Sequence, residues 1–160
     1  MIIRRATKKD IDAIMEIEKG SFDWYEIFPK NLFEKYLTEY KDGFYVVLDQ
    51  SESIIGYAIL AEKNSNGYLI SIAVHPKNRN KGVAVLLMNF LESQCKEKRF
   101  NKLTLEVRVN NKPAIAAYRK LGLKEVGIKI GFYGNGTNAL MMEKKIGDVR
   151  PNFQKKQTQI

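Results

Sequence analysis

The segment Ile72-Ala73-Val74-His75-Pro76-Lys77-Asn78-Arg79-Asn80-Lys81-Gly82-Val83-Ala84 constrains this chain more than any other. It opens as an apolar strand. Pro76 ends the strand, because proline has no N–H to give to a sheet ladder. A basic loop follows, carrying His75, Lys77, Arg79 and Lys81. Gly82 then opens an amphipathic helix in which Val83, Leu86, Leu87, Phe90 and Leu91 recur at helical spacing. A helix start presents N–H groups without intrahelical acceptors, and its dipole favours negative charge. Gly82 has no Cβ to hold a ligand off the backbone. The stretch has the make-up of a phosphate cradle. An ordinary solvated loop ahead of a helix has the same make-up, and these residues alone leave both open.

The rest of the chain sets the frame. Its 160 residues suit one domain, and 44% hydrophobic residues are enough for a sizeable core. No run approaches the ~20 apolar residues of a membrane span. Met1-Ile2-Ile3-Arg4-Arg5 is charged too early for a signal peptide. Cys95 is the only cysteine, which excludes an intrachain disulfide and points to a reducing compartment, the cytoplasm. His75 is the only histidine, and no metal site is expected. The formal charge of +9 suits an anionic ligand or a polyanionic neighbour such as a ribosome. The cations are spread along the chain, with no basic helical face interleaved with aromatics, so no specific nucleic-acid site is expected.

Taken in order, Ile2–Arg5 is a short strand. Thr7 and Asp10 mark the start of a helix running to about Lys19 and ended by Gly20-Ser21. The segment Ser21–Pro29 holds Phe22, Trp24, Tyr25, Ile27 and Phe28. A loop so rich in aromatics packs back on the core, lines a recognition site, or both. A second helix follows from Lys30 to about Tyr40. Phe44–Asp49, Ile54–Lys63 and Tyr68–Val74 are strands of an antiparallel sheet, with Asn66-Gly67 expected to supply the positive φ of the second hairpin turn. The Gly82 helix extends to about Lys98, with Cys95 as a small core residue rather than a nucleophile.

In Lys102–Val109, Leu103, Leu105, Val107 and Val109 alternate with Thr104, Glu106 and Arg108. Glu106 thus stands mid-strand, opposite the apolar face. Such a carboxylate either pairs with a neighbouring Lys or Arg or has a chemical task. Asn110-Asn111-Lys112-Pro113 starts a helix and Gly122 ends it. Strands Leu123–Ile130 and Asn138–Ile146 flank a Gly-rich loop, Gly131–Thr137. Residues 1–147 are expected to form one domain, with 148–160 a polar, basic tail.

Strand, two helices, three strands, helix, strand, helix, two strands, together with Arg79-x-x-Gly82-x-Ala84, resembles the GNAT acetyltransferase superfamily. Leu105-Glu106-Val107-Arg108-Val109-Asn110-Asn111, Ala114-Ile115-Ala116-Ala117-Tyr118-Arg119-Lys120-Leu121-Gly122 and Gly131-Phe132-Tyr133 sharpen this. They resemble the protein N-terminal acetyltransferases, both the ribosomal-protein-alanine (RimI-like) type and the archaeal and eukaryotic enzymes. The resemblance implies an α+β fold with a central, mostly antiparallel seven-stranded sheet and about four helices. It also implies acetyl-CoA as cofactor. Ile72, Ala73 and Val74 would hold the pantetheine arm by their backbone. The backbone of Arg79, Asn80, Lys81, Gly82, Val83 and Ala84 would hold the pyrophosphate, and Asn111 and Tyr118 would touch the cofactor. Glu106 would accept the amine proton and Tyr118 would donate to the leaving thiolate. Phe22, Trp24, Tyr25, Phe28 and Tyr133 would hold the acceptor. Apart from the resemblance, Tyr118 reads first as an ordinary helix-to-sheet contact.

Two departures stand out. Phe132 replaces the first of the family's paired tyrosines, leaving Tyr133 as the hydroxyl for the acceptor. Tyr68 stands where many archaeal N-terminal enzymes carry a histidine, which loads proton removal onto Glu106.

The chemistry follows from the amine. An ammonium has no lone pair. An α-amine with a pKa of about 7.7–8.0 is roughly one-tenth neutral at pH 7, whereas a lysine amine near 10.4 is neutral about four times in ten thousand. One carboxylate base therefore suits an α-amine better. The expected activity is transfer of acetyl to a protein or peptide N-terminus by direct attack, in the cytoplasm, by a monomer, with ribosome association a further expectation. The alternatives are a lysine or small-molecule amine acetyltransferase on the same fold, and a non-catalytic acyl-CoA-binding or ribosome-docking module.

Overall fold

The structure is a computed structural model and describes residues 1–147. The expected tail, 148–160, lies outside the described residues. The elements are β1 (Ile2–Arg5), α1 (Ile11–Ser21), α2 (Lys30–Glu39), β2 (Phe44–Leu48), β3 (Ile54–Lys63), β4 (Asn66–Val74), α3 (Val83–Glu97), β5 (Lys102–Arg108), α4 (Lys112–Lys120), β6 (Lys124–Lys129) and β7 (Ala139–Lys145). Short 3-10 turns, Lys8–Asp10 and Pro76–Asn78, precede α1 and follow β4.

The strands form one sheet in the order β1-β2-β3-β4-β5-β7-β6. All neighbours are antiparallel except β4 and β5. The exception is forced by α3, since a helical crossover returns the chain parallel. The expected seven-stranded mixed sheet is observed, with β7 inserted between β5 and β6.

Alternation along β2 and β3 splits the core into two layers. Phe44, Val46, Tyr57 and Ile59 face Ile11, Ile14 and Ile17 of α1 and Phe33 of α2. Tyr45, Val47, Ala58 and Leu60 belong to the other cluster, with Val83, Leu87, Leu91 and Cys95 of α3. Both faces are covered, so β2 and β3 are near-continuous buried apolar runs.

Two features position the site. In β4 the pairing with β3 jumps from Ile59↔Ser71 to Leu60↔Leu69, so Ile70 is an extra, bulged residue. Bulges bend and twist a strand. Beyond the bulge β4 leaves β5: the two pair only at Gly67↔Leu103 and Tyr68↔Thr104. The sheet therefore splits between the last half of β4 and the last half of β5.

The turns differ from expectation at one hairpin. Asn64 (φ 53°) and Ser65 (φ 62°) carry the positive φ, while Asn66 and Gly67 are already in β4. Two central residues at positive φ make the mirror-image turn that suits strand twist. Gly67 serves packing instead: a Cβ there would lie 2.5 Å from Cys95 Sγ and 3.3 Å from Leu60 and Phe100. Helix α1 also runs two residues further than expected, to Ser21. It starts after Asp10, whose carboxylate is drawn into a bidentate pair with Arg4 at 2.7 and 2.9 Å. That pair, more than any other contact, holds Asp10 below the usual carboxylate range. Cys95 is fully buried, which pushes its thiol up to about 11 and leaves it inert.

Gly67→Ala is expected to destabilise by about 1–3 kcal/mol by overpacking. Adding Cys95→Ala should recover part of that loss, because the sulfur is what the new methyl meets. Urea midpoints of the two single variants and the double variant measure this coupling.

Candidate active site

The split in the sheet opens into two adjoining cavities. The first, about 540 Å³, lies between the α1–α2 segment, the bulged part of β4, the end of β5 and the β6–β7 loop. The second, about 580 Å³, lies between the end of β4, the loop into α3 and the exposed side of α4. Ser21, Phe22, Ile72, Asn111, Ala114 and Tyr118 line both, so the two are halves of one passage.

The second half is built on the segment from Asn78 to Val85. Gly82 is the N-cap of α3 and not, as the sequence suggested, part of its first turn. Its φ of 79° lies in the left-handed region, and a Cβ there would meet open space. Glycine is thus required by the backbone turn, and the turn aims the first N–H groups of α3 into the cavity. Asn80 also takes a positive φ, 59°. Among the described residues, none of the Asn80–Ala84 N–H groups donates to a backbone carbonyl outside a helix. An open helix start with free donors fits the diphosphate of coenzyme A.

Arg79 lines this cavity, but the hydrogen bonds of its side chain run to other segments. Arg79 donates from Nε to Val74 O (3.2 Å) and from Nη2 to Gly20 O (3.2 Å) and Ser21 Oγ (3.0 Å). His75 Nδ1 accepts from the Lys77 N–H at 3.2 Å, and Lys81 does not line the cavity. Met88, which helical spacing alone did not single out, does line it.

Asn111 caps α4, its Oδ1 accepting from the Ala114 N–H at 3.3 Å, and this leaves its amide N–H₂ for a ligand. Tyr118 projects from α4 into both cavities, and its burial pushes the phenol up to about 12, so at neutral pH it is a donor.

Glu106 faces the first cavity from β5 with its side chain 8% exposed. It is ion-paired: Lys129 Nζ lies 2.7 Å from Oε1. Of the two readings left open by the sequence, the salt bridge is present, and the carboxylate also faces the cavity. Lys129 Nζ also lies 5.2 Å from the centre of the Phe132 ring. Tyr68 does not line either cavity. Burial foremost, and then the neighbouring Glu106 carboxylate, hold its phenol well above the usual range. It is no base.

Opposite β5, the α1–α2 segment and the β6–β7 loop are tied together by Arg108. Its guanidinium pairs with Glu26, donates to Asn135 Oδ1 at 3.0 Å and lies 4.0 Å from the centre of the Tyr133 ring. Sequence reading placed Arg108 only as a polar position of β5. Tyr133 lines the cavity, and burial pushes its phenol up to about 12. Phe22, Tyr25 and Phe28 line it as well, but Trp24 does not: it is 85% exposed, stacked edge-on against Tyr25.

Besides Glu26, the carboxylate of Glu18 also lines this cavity and was not anticipated. It is 1% exposed. Its Oε1 accepts from the Tyr57 hydroxyl and its Oε2 from the Phe28 N–H at 3.1 Å, and Tyr57 continues to Ser71 Oγ at 2.8 Å. Desolvation pushes its carboxyl above the usual range, outweighing these bonds. The sequence signal was an acidic residue on the apolar side of an amphipathic helix, next to Ile14 and Ile17.

Residues 11–123 match the acetyltransferase (GNAT) family. The chain belongs to that family. An N-alpha-acetyltransferase of Saccharolobus solfataricus is 32% identical over 157 residues, covering 90% of this chain and 92% of the relative. A putative ribosomal protein bS18-alanine N-acetyltransferase of Bacillus subtilis is 33% identical over 141 residues, covering 88% and 92%. Among solved structures, Ard1 from Thermoplasma volcanium superimposes with a TM-score of 0.85 at 25% identity, covering 92% of this chain and 98% of that one.

Because Glu18 holds its proton more tightly folded than unfolded, its ionisation costs stability. That cost is absent below the carboxylate's ordinary value near ~4.3, and grows as pH rises through the raised folded value. Glu18→Gln should therefore gain stability relative to the parent as pH goes from 4 to 8. Urea midpoints at several pH values check the sign; a difference independent of pH would contradict it.

Proposed function

We propose that this protein transfers the acetyl group of acetyl-CoA to the α-amine of a protein or peptide N-terminus by direct attack. The observation that carries this reading is the split between β4 and β5, which joins a helix-start anion cradle to a cavity that the Glu106 carboxylate faces from β5. The similar chains named above are N-terminal acetyltransferases, which supports the same choice of acceptor.

Acetyl-CoA supplies an activated thioester. The backbone at Gly82–Ala84 would bind its diphosphate, and the free edge of β4 at Ile72–Val74 would lie along its pantetheine arm. A backbone N–H near Val74 would stabilise the oxyanion. Phe22, Tyr25, Phe28 and Tyr133 would flank the acceptor, and the bridge through Arg108 would hold the two sides of that groove at a fixed separation.

Glu106 would accept the amine proton, directly or through water. An ionised carboxylate has about four acceptor positions, so the bond from Lys129 leaves room for the ammonium. Tyr118, protonated at neutral pH, would return a proton to the departing thiolate. No nucleophilic side chain enters, and Cys95 is buried away from both cavities. No helix among the described residues is long and apolar enough to cross a membrane. The cytoplasm as compartment, supported by the buried free thiol, belongs to this proposal. Ribosome association does too, supported by the +9 charge.

Acetyl-CoA turnover against a panel of N-terminal peptides, each with an internal lysine, tests the reading, with the acetylated nitrogen located by mass spectrometry. Modification of the α-amine is expected; modification of lysine alone, or no turnover, overturns it. Glu106→Gln should keep acetyl-CoA binding while kcat/KM at pH 7 falls about 10²–10⁴-fold, the usual worth of a positioned base. The deficit should narrow as pH rises and the free amine accumulates. Tyr118→Phe should lower kcat with little change in acetyl-CoA affinity.

A further inference from the structure

The loop into α3 and the last turn of α1 are in intimate contact, and the contact is made from both sides. From the loop, the Arg79 guanidinium reaches Gly20 O, Ser21 Oγ and Val74 O at 3.0–3.2 Å. From the helix, Gly20 comes so close to Pro76 that a Cβ would lie 2.8 Å from its Cγ. The first contact is polar and the second is steric, and they are independent. Together they fix the point at which the chain leaves α1, and the next residues, Ser21 and Phe22, line both cavities.

Arg79 belongs to the Arg-x-x-Gly-x-Ala signature, where a cation beside a diphosphate is the natural reading. The hydrogen bonds indicate a different task. Two of the three guanidinium nitrogens are spent on acceptors at the carbonyl end of α1 and the end of β4. The carbonyl end of a helix attracts a cation in its own right. We propose that the side chain of Arg79 is a positioning residue for the acceptor, docking the α1–α2 segment onto the cofactor loop, while the diphosphate is left to the backbone N–H groups of that loop. The inference rests on the first cavity being the acceptor site.

Misplacing a substrate-holding segment by about 1 Å can cost 10²-fold in rate. Arg79→Met removes all three bonds and should lower kcat/KM for a peptide substrate at least about tenfold, mainly through the peptide KM, the equivalent of roughly 1.4 kcal/mol. The Kd of acetyl-CoA, measured by calorimetry, should change less than about threefold. Arg79→Lys should rescue only in part, since an ammonium cannot reach three divergent acceptors at once. Gly20→Ala perturbs the same joint without touching charge. It should raise the peptide KM in the same way, and its fold is safeguarded by the ~1 kcal/mol that alanine gains over glycine within a helix.

A tenfold weaker acetyl-CoA Kd with unchanged peptide KM in Arg79→Met would overturn the inference and return the guanidinium to the phosphates. Equal losses on both sides, or no change on either, would overturn it too. Failure of the wild-type protein to acetylate any peptide is a separate outcome and strikes the proposed function itself.

Discussion

Everything functional here depends on two parallel strands parting. Strands β4 and β5 share a ladder for two residue pairs and then separate, leaving the peptide groups of Ser71–Val74 with β3 on one side and no strand on the other. Unpaired backbone N–H and C=O groups are a cost in a sheet interior unless something else pairs with them. A ligand that lies along β4 as a strand would does so, and an acyl-pantetheine arm with its two amides has that form. The bulge at Ile70 makes the parting sharp. It also reverses the alternation, so that Ile70 and Ile72 pack on opposite faces.

Much of this was legible in the residues, for a physical reason. Alternation along Lys102–Arg108 fixes which side Glu106 faces, and the burial along the strand agrees at every position. Asn111 as a cap, Pro113 in the first turn of α4 and Gly122 at φ 91° after its end are local chemistry, and local chemistry is written locally. Asn66-Gly67 shows the limit of that logic. Its dipeptide has turn chemistry, but the register of β3 against β4 puts the turn two residues earlier, and the glycine answers to Cys95 across the core.

The partners of Glu106 were not legible, because they depend on strand order. Strand β7 intervenes between β5 and β6, placing Glu106, Met141 and Gly127 in one row across three strands. Lys129 stands two residues beyond Gly127 on the same face, and the missing side chain at Gly127 leaves the diagonal to Glu106 open. Nothing within β6 itself marks Lys129 out from Lys124. Arg108 and Arg79 were hidden in the same way. Each joins loops far apart in the chain, Arg108 to Glu26 and Asn135, Arg79 to Gly20 and Ser21.

Of the three carboxylates lining the first cavity, Glu18, Glu26 and Glu106, the first and last illustrate how environment divides labour between identical groups. Glu18 meets a tyrosine hydroxyl and a backbone N–H but no cation, and burial dominates, favouring the neutral acid. Glu106 has a cation as its partner, the Lys129 ammonium at 2.7 Å. A base for an amine must be ionised when the substrate arrives, and an anchor for a backbone N–H need not be. Glu106 is therefore the group suited to take a proton, and Glu18 the group suited to hold the Phe28 N–H and, with it, the inner end of the aromatic segment. The same comparison bears on the acceptor. The Tyr68 phenol is held too high to serve as a second base beside Glu106, so the site suits an amine that is already partly neutral. An α-amine meets that condition at pH 7, and a lysine side chain falls short of it by more than two orders of magnitude.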